Sequence, residues 1–401
     1  MLTLNSRLWR SAAAGGAAIA FAALLAACGG GGDAPVAQVA TPAEATSYTQ
    51  GAITGFGSVF VGGVRFDESG ATVSDDDGNT KSRSELKLGM RVEVDSGNVD
   101  RNVGTALALR IRWASEVVGP VGAIDIAAST VQVLGQTVLV TSSTVFGDDL
   151  SGGLSALSAG MVVDVHGILD PANARVVATR IEPRPNAAMF RLRGVISALN
   201  TTAKTFSVRA QTINYASVPA AMVPAGFANG SVVALALQTT QVNGAWVASA
   251  MRAGLRLPDP RLEAHVEGVI SSFSSLTSFE VNGLRVDASN VRFPDGSVGV
   301  VLGARVEVRG VVNAGVLVAT AVEIEERRIP GPRPLELRGE MGNLNTTTKT
   351  FALRGVTVWY GGRVDYVGGS ETSLANGRAM IVTGVIAADR TRLEARRIEF
   401  K

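Results

Sequence analysis

Leu302-Gly303-Ala304-Arg305-Val306-Glu307-Val308-Arg309-Gly310 places a glycine before a run in which valines alternate with charged residues. A period of two with one apolar side is the pattern of a β-strand with one buried face. The same opening recurs at Gly89, with Met90-Arg91-Val92-Glu93-Val94, and at Gly160, with Met161-Val162-Val163-Asp164-Val165. Gly230 and Gly377 open looser versions. Each of these glycines follows an earlier one by 35 to 41 residues: Gly51-Ala52-Ile53, Gly119-Pro120-Val121, Gly194-Val195-Ile196, Gly268-Val269-Ile270 and Gly339-Glu340-Met341. A third landmark, an alanine in a closing strand, falls at Ala106, Ala178, Ala248, Ala319 and Ala395. Three landmarks in register over five copies, with starts 68, 75, 74 and 71 residues apart, predict tandem modules.

The expected modules are 49–116, 117–184, 190–256, 262–328 and 335–401. Pro183-Arg184-Pro185, Pro258-Asp259-Pro260 and Pro330-Gly331-Pro332-Arg333-Pro334 separate the later copies and hold seven of the 14 prolines. Such joints are stiff and extended, so an open string on the order of 130 Å long is expected. Between the first two copies there is only Ala114-Ser115-Glu116. Turn residues close the first hairpin of copies three and five in near-duplicate runs, Asn200 to Phe206 and Asn345 to Phe351. About 65 residues with five or so short strands cannot build two packed sheets, and closing one sheet on itself removes its edges. The predicted fold class is therefore all-β, a tandem array of about five small OB-like barrels, with a small open meander or sandwich as the alternative.

These landmarks resemble a family. Phe279 to Asp287, then Leu302 to Gly310, then Val318-Ala319-Thr320-Ala321-Val322-Glu323-Ile324, is similar to the bacterial domain-of-unknown-function family 5666. That module occurs in tandem in exported proteins. Copies one and four match best, copy one through Val64-Arg65-Phe66-Asp67 and Leu88 to Val94; copies three and five lose the outward charges after the second glycine. The resemblance covers roughly residues 51–400 and implies no activity.

The N-terminus reads as a lipoprotein leader. Arg7 and Arg10 precede an apolar run, Ser11 to Leu24, that ends in Leu25-Ala26-Ala27-Cys28. The length suits a signal peptide better than a membrane span. The ending resembles a lipobox, and the chain's single cysteine falls there, so Cys28 is the expected lipidation site, with residues 1–27 removed. Residues 28–48, rich in Gly, Ala, Pro and Thr, are the expected flexible tether. The expected address is the bacterial envelope, leaning to the outer membrane because Gly29 stands where an inner-membrane retention Asp would. Removing the leader takes two arginines from the 37 Lys+Arg, leaving 35 against 35 Asp+Glu. A balanced chain has no net field to draw in nucleic acid.

Catalytic motifs are not found. There is no nucleophile elbow, P-loop or His-Glu-x-x-His, and no cofactor is expected. His166 and His265, at strand positions where other copies carry assorted polar residues, are expected on the surface. Asp75-Asp76-Asp77-Gly78-Asn79 fails the EF-hand spacing and reads as a hairpin tip, which leaves Asp75 and Asp77 as weak metal candidates. Where copy four has Arg305, Glu307 and Arg309, copy three has Val232, Ala234 and Ala236, and copy five has Ala379, Ile381 and Thr383. An outward face of small apolar residues is a candidate interface, covered by a neighbour, a partner or the local loop Val218 to Phe227. The functional expectation is a lipid-anchored, non-catalytic binding or spacer array. Its partners would be the membrane, through the anchor, and an envelope protein or polysaccharide. The alternatives are an envelope hydrolase with a site between modules, built on carboxylates such as Asp164 or Glu307, or a subunit of a surface complex.

Overall fold

The computed structural model describes residues 44–401 except 57, 171, 255–257, 261, 295, 325–333 and 388–391. The leader, Cys28 and most of the tether, together with Pro330 to Arg333 of the last proline joint, lie outside the described residues. Module one holds β1 (Ser47–Phe56), β2 (Val59–Val61), β3 (Val64–Asp67), β4 (Thr72–Ser74), β5 (Thr80–Lys81), β6 (Arg91–Ser96) and β7 (Thr105–Trp113). Module two holds β8 (Val117–Asp125), β9 (Thr130–Val133), β10 (Gln136–Phe146), β11 (Val162–Asp170) and β12 (Arg175–Pro183). Module three holds β13 (Phe190–Asn200), β14 (Thr205–Val208), β15 (Gln211–Asn214), β16 (Val232–Val242) and β17 (Ala245–Ala253). Module four holds β18 (Glu263–Ser275), β19 (Ser278–Val281), β20 (Leu284–Asp287), β21 (Arg305–Asn313) and β22 (Val316–Ile324). Module five holds β23 (Leu335–Asn345), β24 (Thr350–Leu353), β25 (Val356–Trp359), β26 (Asp365–Val367), β27 (Ala379–Ile386) and β28 (Leu393–Phe400).

Each module closes in the same way. In module four β18 pairs antiparallel with β19, β19 with β20, β20 runs parallel to β22, and β22 and β21 return antiparallel to β18. The equivalent ring forms in module one, in module two, in module three and in module five. A closed five-stranded Greek-key ring is the OB arrangement. Module one adds the β4–β5 hairpin, whose tip is Asp75 to Asn79.

The glycine landmarks hold this ring shut. The second glycine has a positive φ in every copy, +77° to +88° at Gly89, Gly160, Gly230, Gly303 and Gly377, a region costly for a residue with a Cβ. Its N–H donates to the carbonyl of the residue two past the first glycine: Ile53, Val121, Ile196, Ile270 and Met341, at 2.7–2.9 Å. That residue's N–H donates back to the carbonyl following the second glycine, at 2.8–3.0 Å. The apolar residue of the landmark is thus the point where the fourth strand is latched to the first. Inward side chains fill the barrels, with Phe66, Phe206, Phe279 and Phe351 all buried. The alanine landmark is corrected in copy one. Ala178, Ala319 and Ala395 face Gly167, Gly310 and Gly384 beside a bulge in the fifth strand, and the residue so placed in module one, facing Ser96, is Ala108. Ala106 instead faces Phe66 across the parallel pair.

The expected open string is not what forms: the described residues belong to one compact unit. The cause is an edge. The first strand of each ring pairs through its N-terminal half with the fourth strand and through its C-terminal half with the second, so part of each flank stays open. An unpaired strand edge is a template for another strand. Ser47–Gln50 of β1 takes β18 in parallel, and Gly55 and Phe56 take β23. Val117 and Val118 of β8 take β13 in antiparallel. Modules one, four and five so share one hydrogen-bonded sheet system, and modules two and three share another. The cores largely follow these pairings: modules one and five share one apolar cluster, which Val145 of module two also joins, modules two and three share a second, and module four encloses Tyr48 of β1. At the β1–β23 junction a Cβ on Gly55 would overlap the Glu336 carbonyl oxygen and meet Cδ2 of Phe60 at 3.2 Å. Gly55→Ala is expected to destabilise the chain by about 1–3 kcal/mol, as overpacking does, while Gly63→Ala, with nothing within 4 Å, costs only its backbone strain. Paired thermal melts measure the difference; equal melting temperatures for the two variants would refute a tight junction at Gly55.

Candidate functional site

The two sheet systems meet across polar contacts, and these line a cleft of about 460 Å³ among modules one, two and three. One wall is the acidic tip of module one. Asp77 Oδ1 accepts from Arg191 Nη1 at 2.6 Å and from Arg252 Nη1 at 3.0 Å. Asp76 receives Arg193 Nη2 at 3.4 Å and also Arg252. Asp75 is used within the tip: its Oδ1 accepts from the N–H groups of Asp77 and Asn79, and Oδ2 lies 3.3 Å from Lys81 Nζ. The oxygens that a cation would need at Asp75 and Asp77 are therefore engaged by Lys, Asn and Arg donors. Burial pushes the Asp77 carboxyl up, but the hydrogen bonds and charges of Arg191 and Arg252 outweigh it and hold it below the ordinary aspartate range.

This clamp explains the small residues of β16. Ala236 faces Arg191, and Ala234 lies between Arg193 and Arg252 in the pairing. Directly opposed residues project to one side of a sheet, so methyl groups at 234 and 236 leave room for the three guanidinium groups that receive module one. Ala234 and Ala236 are buried and Val232 is half-buried. The loop from Val218 packs Phe227 on Phe206 and Tyr215, at 5.5 and 5.4 Å, and so joins the aromatic core of module three. In module five Ile381 is buried, whereas Ala379 is exposed opposite Glu340.

Behind the clamp, the proline-free joint carries buried charge. Arg193 N–H donates to the Glu116 carbonyl at 2.9 Å, and Arg193 Nε lies 3.7 Å from Glu116 Oε2. Arg91 Nη2 donates to the Glu267 carbonyl at 3.3 Å, while Nη1 is buried without a partner. Burial pushes the Glu116 carboxyl up against the charges of Arg193 and Arg91, and burial lowers Arg91 against those of Glu116 and Glu267. These side chains border a second cavity of about 280 Å³, reached also by Gln50 and Asn282.

Both histidines depart from the expected surface placement. His166 is 1% exposed; its Nδ1 lies 3.0 Å from the Ala114 carbonyl oxygen and its Nε2 3.8 Å from Asp164 Oδ1. His265 is partly buried, with Nε2 2.8 Å from Glu307 Oε1, beside the β1–β18 junction. Positions that face outward from one barrel face another module here. Asp164 and His166 alternate on β11, and Glu182 of β12 stands directly opposite Asp164, so all three share one face of a two-stranded ribbon lining the cleft. Sequence reading could find the Asp-x-His spacing; it could not find Glu182, whose place depends on strand register, or Glu116, Arg193 and Arg252, which converge only when modules dock.

Residues 50–112, 118–182 and 267–323, just under half of the chain, match the family described as Domain of unknown function (DUF5666). Modules one, two and four are thus similar to that family, in tandem. No curated protein matches the chain. A solved structure, drosophila Unr CSD456, is similar over 52% of this chain and 96% of its own at 12% identity, with a TM-score of 0.14, too slight a likeness to carry a conclusion.

Two contrasts test the electrostatics. Glu116→Ala leaves Arg193 and Arg91 facing a buried gap and is expected to cost about 3–5 kcal/mol. Asp77→Asn, at a partly exposed pair, is expected to cost under about 1 kcal/mol. Because the Asp77 pKa is lowered in the fold, its contribution is present above the unfolded aspartate pKa and is lost as pH falls through the lower folded value. The stability difference between wild type and Asp77→Asn should therefore be full at neutral pH and shrink as pH falls below about 4. Urea titrations at pH 7 and pH 3 measure it; a difference that grows towards acid would refute the clamp.

Proposed function

We propose that this chain is a non-catalytic binding platform of the bacterial cell envelope, lipid-anchored through Cys28. The observation that carries the platform reading is the joining of the barrels by backbone pairing at β1–β18, β1–β23 and β8–β13. Independent beads would serve a spacer as well; fixed barrels with a polar cleft between them serve a surface that must hold one shape. A polar cleft lined by more carboxylates than basic side chains suits an envelope polysaccharide or a protein partner rather than nucleic acid, which asks for a basic groove with stacking aromatics. The leader pattern and the lone cysteine at its end support the anchor, and the absence of an Asp after Cys28 supports the outer membrane.

The hydrolase alternative draws support from one feature, the grouping of Asp164, His166 and Glu182 at the cleft. We keep the non-catalytic platform as the reading because the sequence carries none of the nucleophile, phosphate-loop or metalloprotease motifs named above. The anchor is tested by fractionation. Cys28→Ala is expected to move the protein from the detergent-soluble membrane fraction to the soluble periplasm or medium. A variant that stays with the membrane would refute lipidation at Cys28.

A further inference from the structure

We infer that Asp164, His166 and Glu182 form a binding site for one divalent transition-metal ion of the zinc class, with an open coordination position facing the cleft. One donor atom from each residue lies within 4.8 Å of the others, and the donors are one imidazole nitrogen and two carboxylate oxygens. The imidazole is oriented as a ligand would be. Nδ1 lies 3.0 Å from the Ala114 carbonyl, so Nδ1 carries the proton and Nε2 keeps its lone pair. A backbone acceptor on the far nitrogen is the usual support of a metal-bound histidine.

The second observation is an unanswered oxygen. Asp164 is 1% exposed, and its Oδ1 is buried with no hydrogen-bond partner. It faces Nε2 at 3.8 Å. Two lone pairs aimed at each other cannot hydrogen-bond, and that distance exceeds any hydrogen bond. A zinc-class ion binds nitrogen and oxygen at about 2.0–2.2 Å, so donors that far apart can share one ion. A carboxylate oxygen of Glu182 lies within 4.8 Å of both donors as the side chains stand.

The basic neighbours hold the outer oxygens. Arg184 Nη1 donates to Asp164 Oδ2 at 2.7 Å, and Arg180 Nη2 and Lys87 Nζ donate to Glu182 Oε2 at 2.9 and 2.8 Å. Each carboxylate keeps its other oxygen for the ion, and ligating carboxylates are commonly steadied in this way. Three protein ligands with a free position are the pattern of an open site rather than a closed structural one. The ion would give the cleft a point of attachment for an anionic or carbonyl group of its ligand.

The full chain in detergent, stripped with chelator, is dialysed against Zn²⁺, and Co²⁺ is added separately as a visible-spectrum probe. Expected are one saturable equivalent of Zn²⁺ and Co²⁺ d–d bands that Zn²⁺ abolishes. Asp164→Asn and His166→Gln, checked by far-UV circular dichroism, should each weaken binding at least tenfold, while His265→Gln should not. If a variant fails to fold, paramagnetic broadening by Co²⁺ of the wild-type histidine resonances decides: His166 must broaden well before His265. No saturable equivalent at millimolar Zn²⁺, unchanged affinity in the folded variants, or broadening of His265 first would each overturn the site.

Discussion

The assembly depends on the open flank of the first strand. An OB ring of five strands leaves part of that strand unpaired on each side, and an unpaired edge in water is a site for further pairing. Here each of the five first strands pairs with another: β1 serves two neighbours, β18 and β23, and β8 serves β13. Backbone pairing of this kind fixes direction and register, so the modules cannot turn freely. Burial of outward positions, from Ala234 to His166, is a consequence of that docking.

Docking also sorts the charges. Partly exposed pairs, such as Asp77 with Arg191 and Arg252, steer the β4–β5 tip of module one onto module three at small energetic gain. Fully buried groups, Arg91 and Glu116, are the costly ones, since each depends on partners from other modules. Cutting the chain between modules would leave these groups and the open flanks unsatisfied together. The polar clefts are where the barrels do not quite meet, and the Asp164–His166–Glu182 face lies on the rim of one of them.

Module one differs from its siblings through the β4–β5 insertion, and module three through the loss of outward charge on β16. Each departure answers the other: the insertion supplies Asp76 and Asp77, and Ala234 and Ala236 clear the space for the arginines that bind them. Differences among copies of a repeat therefore mark contacts between copies, in a way that no single module explains.

The repeat, the strands and the closed barrel were legible in the sequence because they are local. A period of two, a glycine at a positive-φ turn and an apolar residue two past the first glycine are properties of one module, read five times over. The copies averaged out errors, except where spacing alone had to choose between Ala106 and Ala108, a choice that the bulge in β7 decides. The proline joints were legible too, but they set only how the chain leaves each module. Whether the modules string out or pack is decided by the free edges of separate strands and by Arg, Asp and Glu side chains far apart in sequence, such as Asp77 with Arg191 and Arg91 with Glu267. Those pairings have no periodicity to read. Strand register then places Glu182 opposite Asp164, and docking buries His166, so the grouping at the cleft is a product of the tertiary structure alone.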